Sequence, residues 1–363
     1  MRSLPLYVHI PFCSSICAYC DFAKVIYKEE WVEQYLEALK QELLSFLPLS
    51  CPSIYIGGGT PSSLNETQLR KLLSFLSPLL EEGGEFDFEA NPDSLTSEKI
   101  ALLHEFGVNR LSIGVQSSSP RLLSLMGRKH NFSDVEKCVK EAKENGISEI
   151  SCDLIYSLPG ETLEEVNKDI EALLSLDIPH ISTYSLTVSP GTRFFYQGIK
   201  ESGDDISADQ YELILKRLRE ANYVRYEVSN FAKNGHEGKH NLFYWHDLAY
   251  LGIGLGASGY LDGSHYSNTR SLAKYLKGER IEAKEARIGK KDAIEYFLLT
   301  NLRLAEGFLE TTFSSRFQLT FKEFAGKKLE KLVNNGLLKC ENGSIFPTDL
   351  GISLLDRVLL ELY

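Results

Sequence analysis

From residue 4 to residue 186 short apolar runs alternate with helical periods, and that alternation restricts the fold more than any other feature of the chain. Residues 4–10, 53–56, 85–90, 110–115, 149–155 and 180–186 read as strands; residues 29–47, 66–80, 97–106, 120–126, 133–145 and 163–176 read as helices, the second of them capped by Asn65. Strands separated by crossover helices must lie parallel, with right-handed connections. In such sheets the functional groups collect where strands run into loops, at the C-terminal edge. The expected class is therefore α/β, and a partial (β/α)6 TIM-type barrel fits better than a doubly wound sheet.

The first of those edges carries Cys13-Ser14-Ser15-Ile16-Cys17-Ala18-Tyr19-Cys20. No fourth cysteine stands nearby, since Asp21 and Phe22 follow. A tetrahedral zinc site wants four ligands; His9 is the only close candidate to complete one. A cubane iron–sulfur cluster has four irons, so three thiolates leave one iron open to chelate an amino acid by its amino and carboxylate groups. The spacing C-x3-C-x2-C, with the aromatic Tyr19 before the last cysteine, resembles the signature of the radical S-adenosylmethionine (SAM) superfamily. The resemblance implies a [4Fe–4S] cluster on Cys13, Cys17 and Cys20 with SAM on the open iron.

The second edge reads Gly57-Gly58-Gly59-Thr60-Pro61-Ser62. It is neither a P-loop nor a Rossmann fingerprint, because neither Gly-Lys-Ser/Thr nor G-x-G-x-x-G is present. Three glycines let the backbone approach a ligand closely and present its amides or carbonyls. Beside the cysteines this resembles the element that holds the amino-acid end of SAM. Glu89, at the third strand's end, suits a ribose diol as an acceptor pair. Arg128 can take a carboxylate bidentately, and Gln116 and Asp153 complete a polar lining at the same edge.

Several stretches together resemble the oxygen-independent coproporphyrinogen III oxidase family: Tyr7 to Cys13, Gly57 to Ser62, Ile113 to Ser117, Met126-Gly127-Arg128, Asp153 to Tyr156 and Leu158-Pro159-Gly160. The resemblance runs over essentially the whole chain. It implies SAM contacts at Tyr7, Gly58, Gly59, Thr60, Glu89, Gln116, Arg128 and Asp153, and at the backbone near Tyr19. The oxidase pattern, however, has a fourth cysteine where Phe22 stands, and a longer segment before the residue matching Tyr7. His240-Asn241-Leu242-Phe243-Tyr244-Trp245 instead matches the H-N-x-x-Y-W motif of the sister group, the HemW-type haem chaperones. Ser189 stands where the relatives usually carry an acid. The haem motif implies cofactor contacts at His240, Asn241, Tyr244 and Trp245, with imidazole as an axial ligand and flat rings against the macrocycle; His236 and His246 are competing ligands, and a buried, hydrogen-bonded histidine is the plainer alternative.

Composition agrees with this class. The net charge of −11 and the lack of a Lys/Arg-rich block argue against a nucleic-acid partner. No apolar run approaches the roughly 20 residues of a membrane span, so only peripheral membrane contact is expected. Seven cysteines, an odd count, argue against a disulfide framework, and Cys51, Cys138, Cys152 and Cys340 read as small hydrophobes. The expected location is cytoplasmic.

Residues 1–200 are expected to form the barrel and 201–280 an extension, with a helix at 208–221, a strand at 224–229 and a loop-heavy stretch at 231–270 containing the haem motif. Residues 281–363 are expected to form a winged-helix-like α+β module, with helices at 291–302, 322–334 and 348–360 around a hairpin turned by Asn342-Gly343. The function implied is a haem chaperone passing haem to an acceptor protein, with an electron donor such as a flavodoxin-type protein. The alternatives are the oxidase itself, decarboxylating coproporphyrinogen III, or a radical SAM enzyme of another substrate.

Overall fold

The computed structural model describes residues 2–284 and 289–363. Six long strands form its centre: β1 (Leu6–Ile10), β2 (Leu49–Gly58), β3 (Leu80–Ala90), β4 (Arg110–Gln116), β5 (Glu149–Tyr156) and β6 (His180–Ser185). They pair in chain order and in parallel, β1 to β6. Strand order equal to chain order means that every crossover runs the same way, which curls the sheet into the expected partial barrel rather than reversing it at a switch point. Beyond β6 lies an antiparallel addition, Asn230–Ala232 with Val224–Arg225; beyond β1 lies Leu251–Ile253. Among the described residues those two ends of the sheet are not joined.

The helices form for local reasons the sequence states. Glu66–Leu76 starts with a complete capping box, Asn65 accepting from the Gln68 amide while the Gln68 side chain accepts from the Asn65 amide. Phe132–Glu144 and Leu163–Ser175 have the same device on Asn131 and Thr162. Their apolar faces and the outward faces of the strands build one core, including Leu36, Leu72, Phe86, Phe88, Val139 and Ile170. Leu251, Ile253 and Tyr275 pack into that same core, while Ser258–Leu261 and Ser264–Asn268 belong to a separate three-stranded sheet and Val228 packs against the C-terminal core.

The expected strand at 224–229 is only Val224–Arg225, followed by a turn into a second short strand, Asn230–Ala232. The stretch expected to be loop-heavy, 231–270, has about half of its residues in short regular elements: helix Lys239–Trp245, strands Leu251–Ile253, Ser258–Leu261 and Ser264–Asn268. Each is too short to show a period in the sequence. The helix expected at 322–334 breaks at Gly326 (φ 49°), and the one at 348–360 breaks near Leu354. The Asn342-Gly343 hairpin is present, both residues having positive φ as a two-residue turn requires, and Phe308–Leu309 adds a third strand that its two-residue length hid. Residues 294–362 hold a core of their own, with Phe297, Phe308, Phe313 and Phe321 at its centre. Cys51, Cys138 and Cys152 are buried as small hydrophobes, but Cys340 is exposed on a hairpin strand, opposite Ile345. Among the described residues no helix is long and apolar enough to cross a membrane.

Candidate functional site

One cavity of about 550 Å³ runs down the axis of the barrel. Cys13, Cys17 and Cys20 line its rim, on the loop after β1. All three are free thiols. Their surroundings fit a bulky sulfur-ligated group: Gly59 lies so close that a Cβ there would stand 2.9 Å from the Cys13 sulfur and 2.7 Å from the Pro11 carbonyl. Among the described residues no three His, Cys, Asp or Glu side chains are arranged to hold a single metal ion. His9 does not complete a zinc site, since its Nε2 meets the Ala23 carbonyl at 2.7 Å and its Nδ1 the Tyr7 hydroxyl at 2.9 Å.

Gly58, Gly59 and Thr60 line the cavity next to the cysteines. Gly58 has φ +116°, a conformation that β-carbon-bearing residues rarely adopt, and this turns its amide onto Glu89 Oε2 at 2.9 Å. The Tyr55 hydroxyl donates to the other oxygen of Glu89 at 2.7 Å. Burial pushes Glu89 up to about 7, opposed by those two donors. Asp153 is likewise pushed up to about 6 by burial, against the hydroxyls of Ser182 and Ser112. Arg128 reaches the Gly114 carbonyl and, at 3.8 Å, the Cys17 sulfur. Gln116 closes this side; its φ of 67° is a left-handed conformation for a residue with a side chain, in the bulge that ends β4. Tyr19 and Ser189 also line the cavity.

The cavity continues to the opposite end of the barrel. There Arg110, 3% exposed, sits 3.7 Å from Asp87, 3.9 Å from Glu85 and 3.6 Å from Glu149. The sequence reading passed over this group and over Tyr55. The signal was present in Glu85-Phe86-Asp87-Phe88-Glu89: the phenylalanines pack under the helices, so all three acids turn into the barrel.

Helix Lys239–Trp245 closes that far end. Its first two amides donate to Glu85, Lys239 to Oε2 at 3.0 Å and His240 to Oε1 at 2.8 Å. His240 is 1% exposed; its Nδ1 meets the Ser53 hydroxyl and its Nε2 the Tyr244 hydroxyl. Burial pushes His240 down to about 3, so the imidazole is neutral. Both ring nitrogens are engaged, and iron binding there requires one of these bonds to break. Asn241 lines the cavity with His240, while Tyr7, Tyr244 and Trp245 stand outside its wall. The Trp245 ring lies 4.4 Å beneath the Arg303 guanidinium. His236 pairs with Glu149 at 2.9 Å, and His246 lies 3.4 Å from Glu306.

A parallel six-stranded partial barrel with three free thiols on its first loop and a glycine turn on its second defines the radical SAM class. Residues 7–173 match the Radical SAM superfamily, and residues 288–354 match the HemN C-terminal domain. A solved structure, coproporphyrinogen III oxidase (HemN) from Escherichia coli, has the same fold: TM-score 0.87 over 99% of this chain and 90% of that one, at 22% identity. The heme chaperone HemW of Lactococcus lactis is 41% identical, covering 97% of this chain and 95% of that protein, and that of Bacillus subtilis is 36% identical, covering 97% of each. The chain belongs to the heme chaperone HemW family.

Proposed function

We propose that this protein is a cytoplasmic haem chaperone that carries a [4Fe–4S] cluster on Cys13, Cys17 and Cys20, holds SAM on the open iron, binds haem and hands it to an acceptor protein. The observation that carries the cluster assignment is the crowding of three free thiols at one cavity rim against Gly59, where no side chain fits. When bound, the cluster supplies the electron that cleaves the sulfonium of SAM reductively.

The chain's own residues supply the rest. Gly58, Gly59 and Thr60 offer backbone groups to the amino-acid end of SAM. Arg128 pairs with its carboxylate, freed in part from the Gly114 carbonyl. Glu89, once ionised, accepts from the ribose diol, and Asp153, Gln116 and the backbone near Tyr19 complete the lining. Tyr7 acts behind this wall, through its bond to His9. An external one-electron donor, such as a flavodoxin-type protein, would reduce the cluster. His240, Asn241, Tyr244 and Trp245 are the haem contacts that the family motif implies, although each of His240, Tyr244 and Trp245 already has a partner within the protein.

The test is a titration of anaerobically reconstituted protein with ferric haem, followed by mixing with an apo-haem protein such as apomyoglobin as sink. Stoichiometric haem uptake and its release to the sink are expected. Release of CO2 from coproporphyrinogen III in the presence of SAM and reductant would overturn the chaperone reading in favour of the oxidase.

A further inference from the structure

We propose that haem docks at the open mouth of the barrel, beside the cysteine loop, gripped by Phe22 and the pair Phe195–Tyr196; this rests on the haem-chaperone reading above.

Two segments flank the cysteines. One is the continuation of the loop itself, Asp21 to Lys24. The other is the short helix Arg193–Tyr196, tied to the loop by the Phe194 amide donating to the Ala18 carbonyl at 2.9 Å. Phe194 anchors that helix from below, packed with Ala18, Ile155 and Leu186 in a small core of its own. Its neighbours then have no apolar surface to cover: Phe195 is 47% and Tyr196 79% exposed, their rings 5.8 Å apart. Phe22, which lines the cavity, is 63% exposed. Large aromatic side chains left in water on two segments that meet at the cysteine loop mark a surface built to be covered.

Each segment also carries a cation. Lys24 donates to the Cys20 and Phe22 carbonyls, and the Arg193 guanidinium lies against Gly127, next to Arg128. Among the described residues neither cation has a carboxylate within ion-pairing distance, in a chain whose acids exceed its bases by eleven. Aromatic faces with unpaired cations beside them are complementary to one kind of ligand: a flat apolar macrocycle with two carboxylates on one edge. The far end of the cavity offers the opposite. It is closed by helix Lys239–Trp245, and the His240 ring is fully engaged there.

The experiment is a haem titration of the full, reconstituted chain, read beside its cluster content and thermal melt. Phe22→Ser and Tyr196→Ser are each expected to weaken haem binding by about tenfold or more, and Tyr196→Phe to stay within about twofold of wild type, because stacking rather than the hydroxyl holds the ring. Leu360→Ser, an equally exposed apolar position in the C-terminal module, is expected to change nothing. The double variant Lys24→Gln/Arg193→Gln should lose affinity for haem but not for haem dimethyl ester, whose carboxylates are masked. Wild-type affinity in both the Phe22 and Tyr196 variants would overturn the docking site, as would loss of haem binding in His240→Gln with an unchanged melt. A wild-type chain that takes up no haem at all would instead sink the chaperone reading itself.

Discussion

Burying Glu89 among strand ends makes one side chain respond to pH in two opposite ways. Its folded pKa, about 7, lies above the ordinary 4.5, so the folded chain binds a proton that the unfolded chain releases. That contribution to stability is fully present below the unfolded value and is lost as pH rises through the folded one. Asp153, raised to about 6, acts in the same sense. Glu89→Gln, which cannot ionise, is thus expected to raise the melting temperature of the ligand-free protein over wild type more at pH 8 than at pH 5, a comparison in which the opposite pull of the buried neutral His9, His130 and His240 cancels; an equal offset at both pH values would remove Glu89 from the account. SAM affinity should move the other way, strengthening towards pH 8 as Glu89 becomes an acceptor. Arg128→Ala is expected to raise the dissociation constant for SAM about tenfold or more, a loss of roughly 1.5–3 kcal/mol of charge-assisted pairing, by equilibrium dialysis against reconstituted protein. Glu89 was legible as a candidate because it stands at a strand end, whereas Asp153 lies inside β5 and Arg128 follows the helix Pro120–Met126, so those two were legible through the family motifs. Tyr55 and Arg110 were not, because an inward-facing tyrosine or arginine inside a strand looks like any alternating polar position until the barrel curls.

Helix Lys239–Trp245 is the element whose role depends most on its surroundings. The sequence marks its six-residue pattern but not its place, and seven residues are too few to show a helical period. In the fold it is a plug: its N-terminal amides rest on Glu85, His240 bridges Ser53 and Tyr244, and the Trp245 ring takes the Arg303 guanidinium. His240→Ala strips both hydroxyls of their partner and opens a cavity beside Tyr55, whose ring centroid is 5.2 Å away. A loss of about 2–4 kcal/mol in urea unfolding is expected, from an unsatisfied buried polar pair and the missing ring. Unaltered stability would show that the imidazole is not part of the closure. Haem affinity measured on the same variant must be corrected for the unfolded fraction.

At the scale of the whole molecule, the barrel core and the C-terminal core meet across a seam that includes several charged pairs. Arg316 of the C-terminal module pairs with Asp247 at 2.7 Å, and Arg303 with the buried Glu227 at 3.3 Å. Burial pushes Asp247 up to about 6, and Arg316 opposes this. Arg316→Ala leaves that carboxylate buried without its partner, so stability should fall by about 3 kcal/mol at pH 8 and by less at pH 5, where the acid takes a proton. Hydrogen exchange in that variant is expected to quicken in residues 289–363 before it does in β1–β6; equal quickening in both would mean that the two cores open as one cooperative unit without this pair. The order of strands and helices, the three-thiol loop and the glycine turn were fixed by local pattern, since each depends on residues within a few positions of one another. Three features were decided only by the tertiary structure: the meeting of Arg110 with Glu85, Asp87 and Glu149, the full engagement of His240, and the aromatic side chains left bare beside the cysteine loop. Each depends on what packs against a residue from far along the chain, and alternation or motif spacing along one strand or helix carries no record of that.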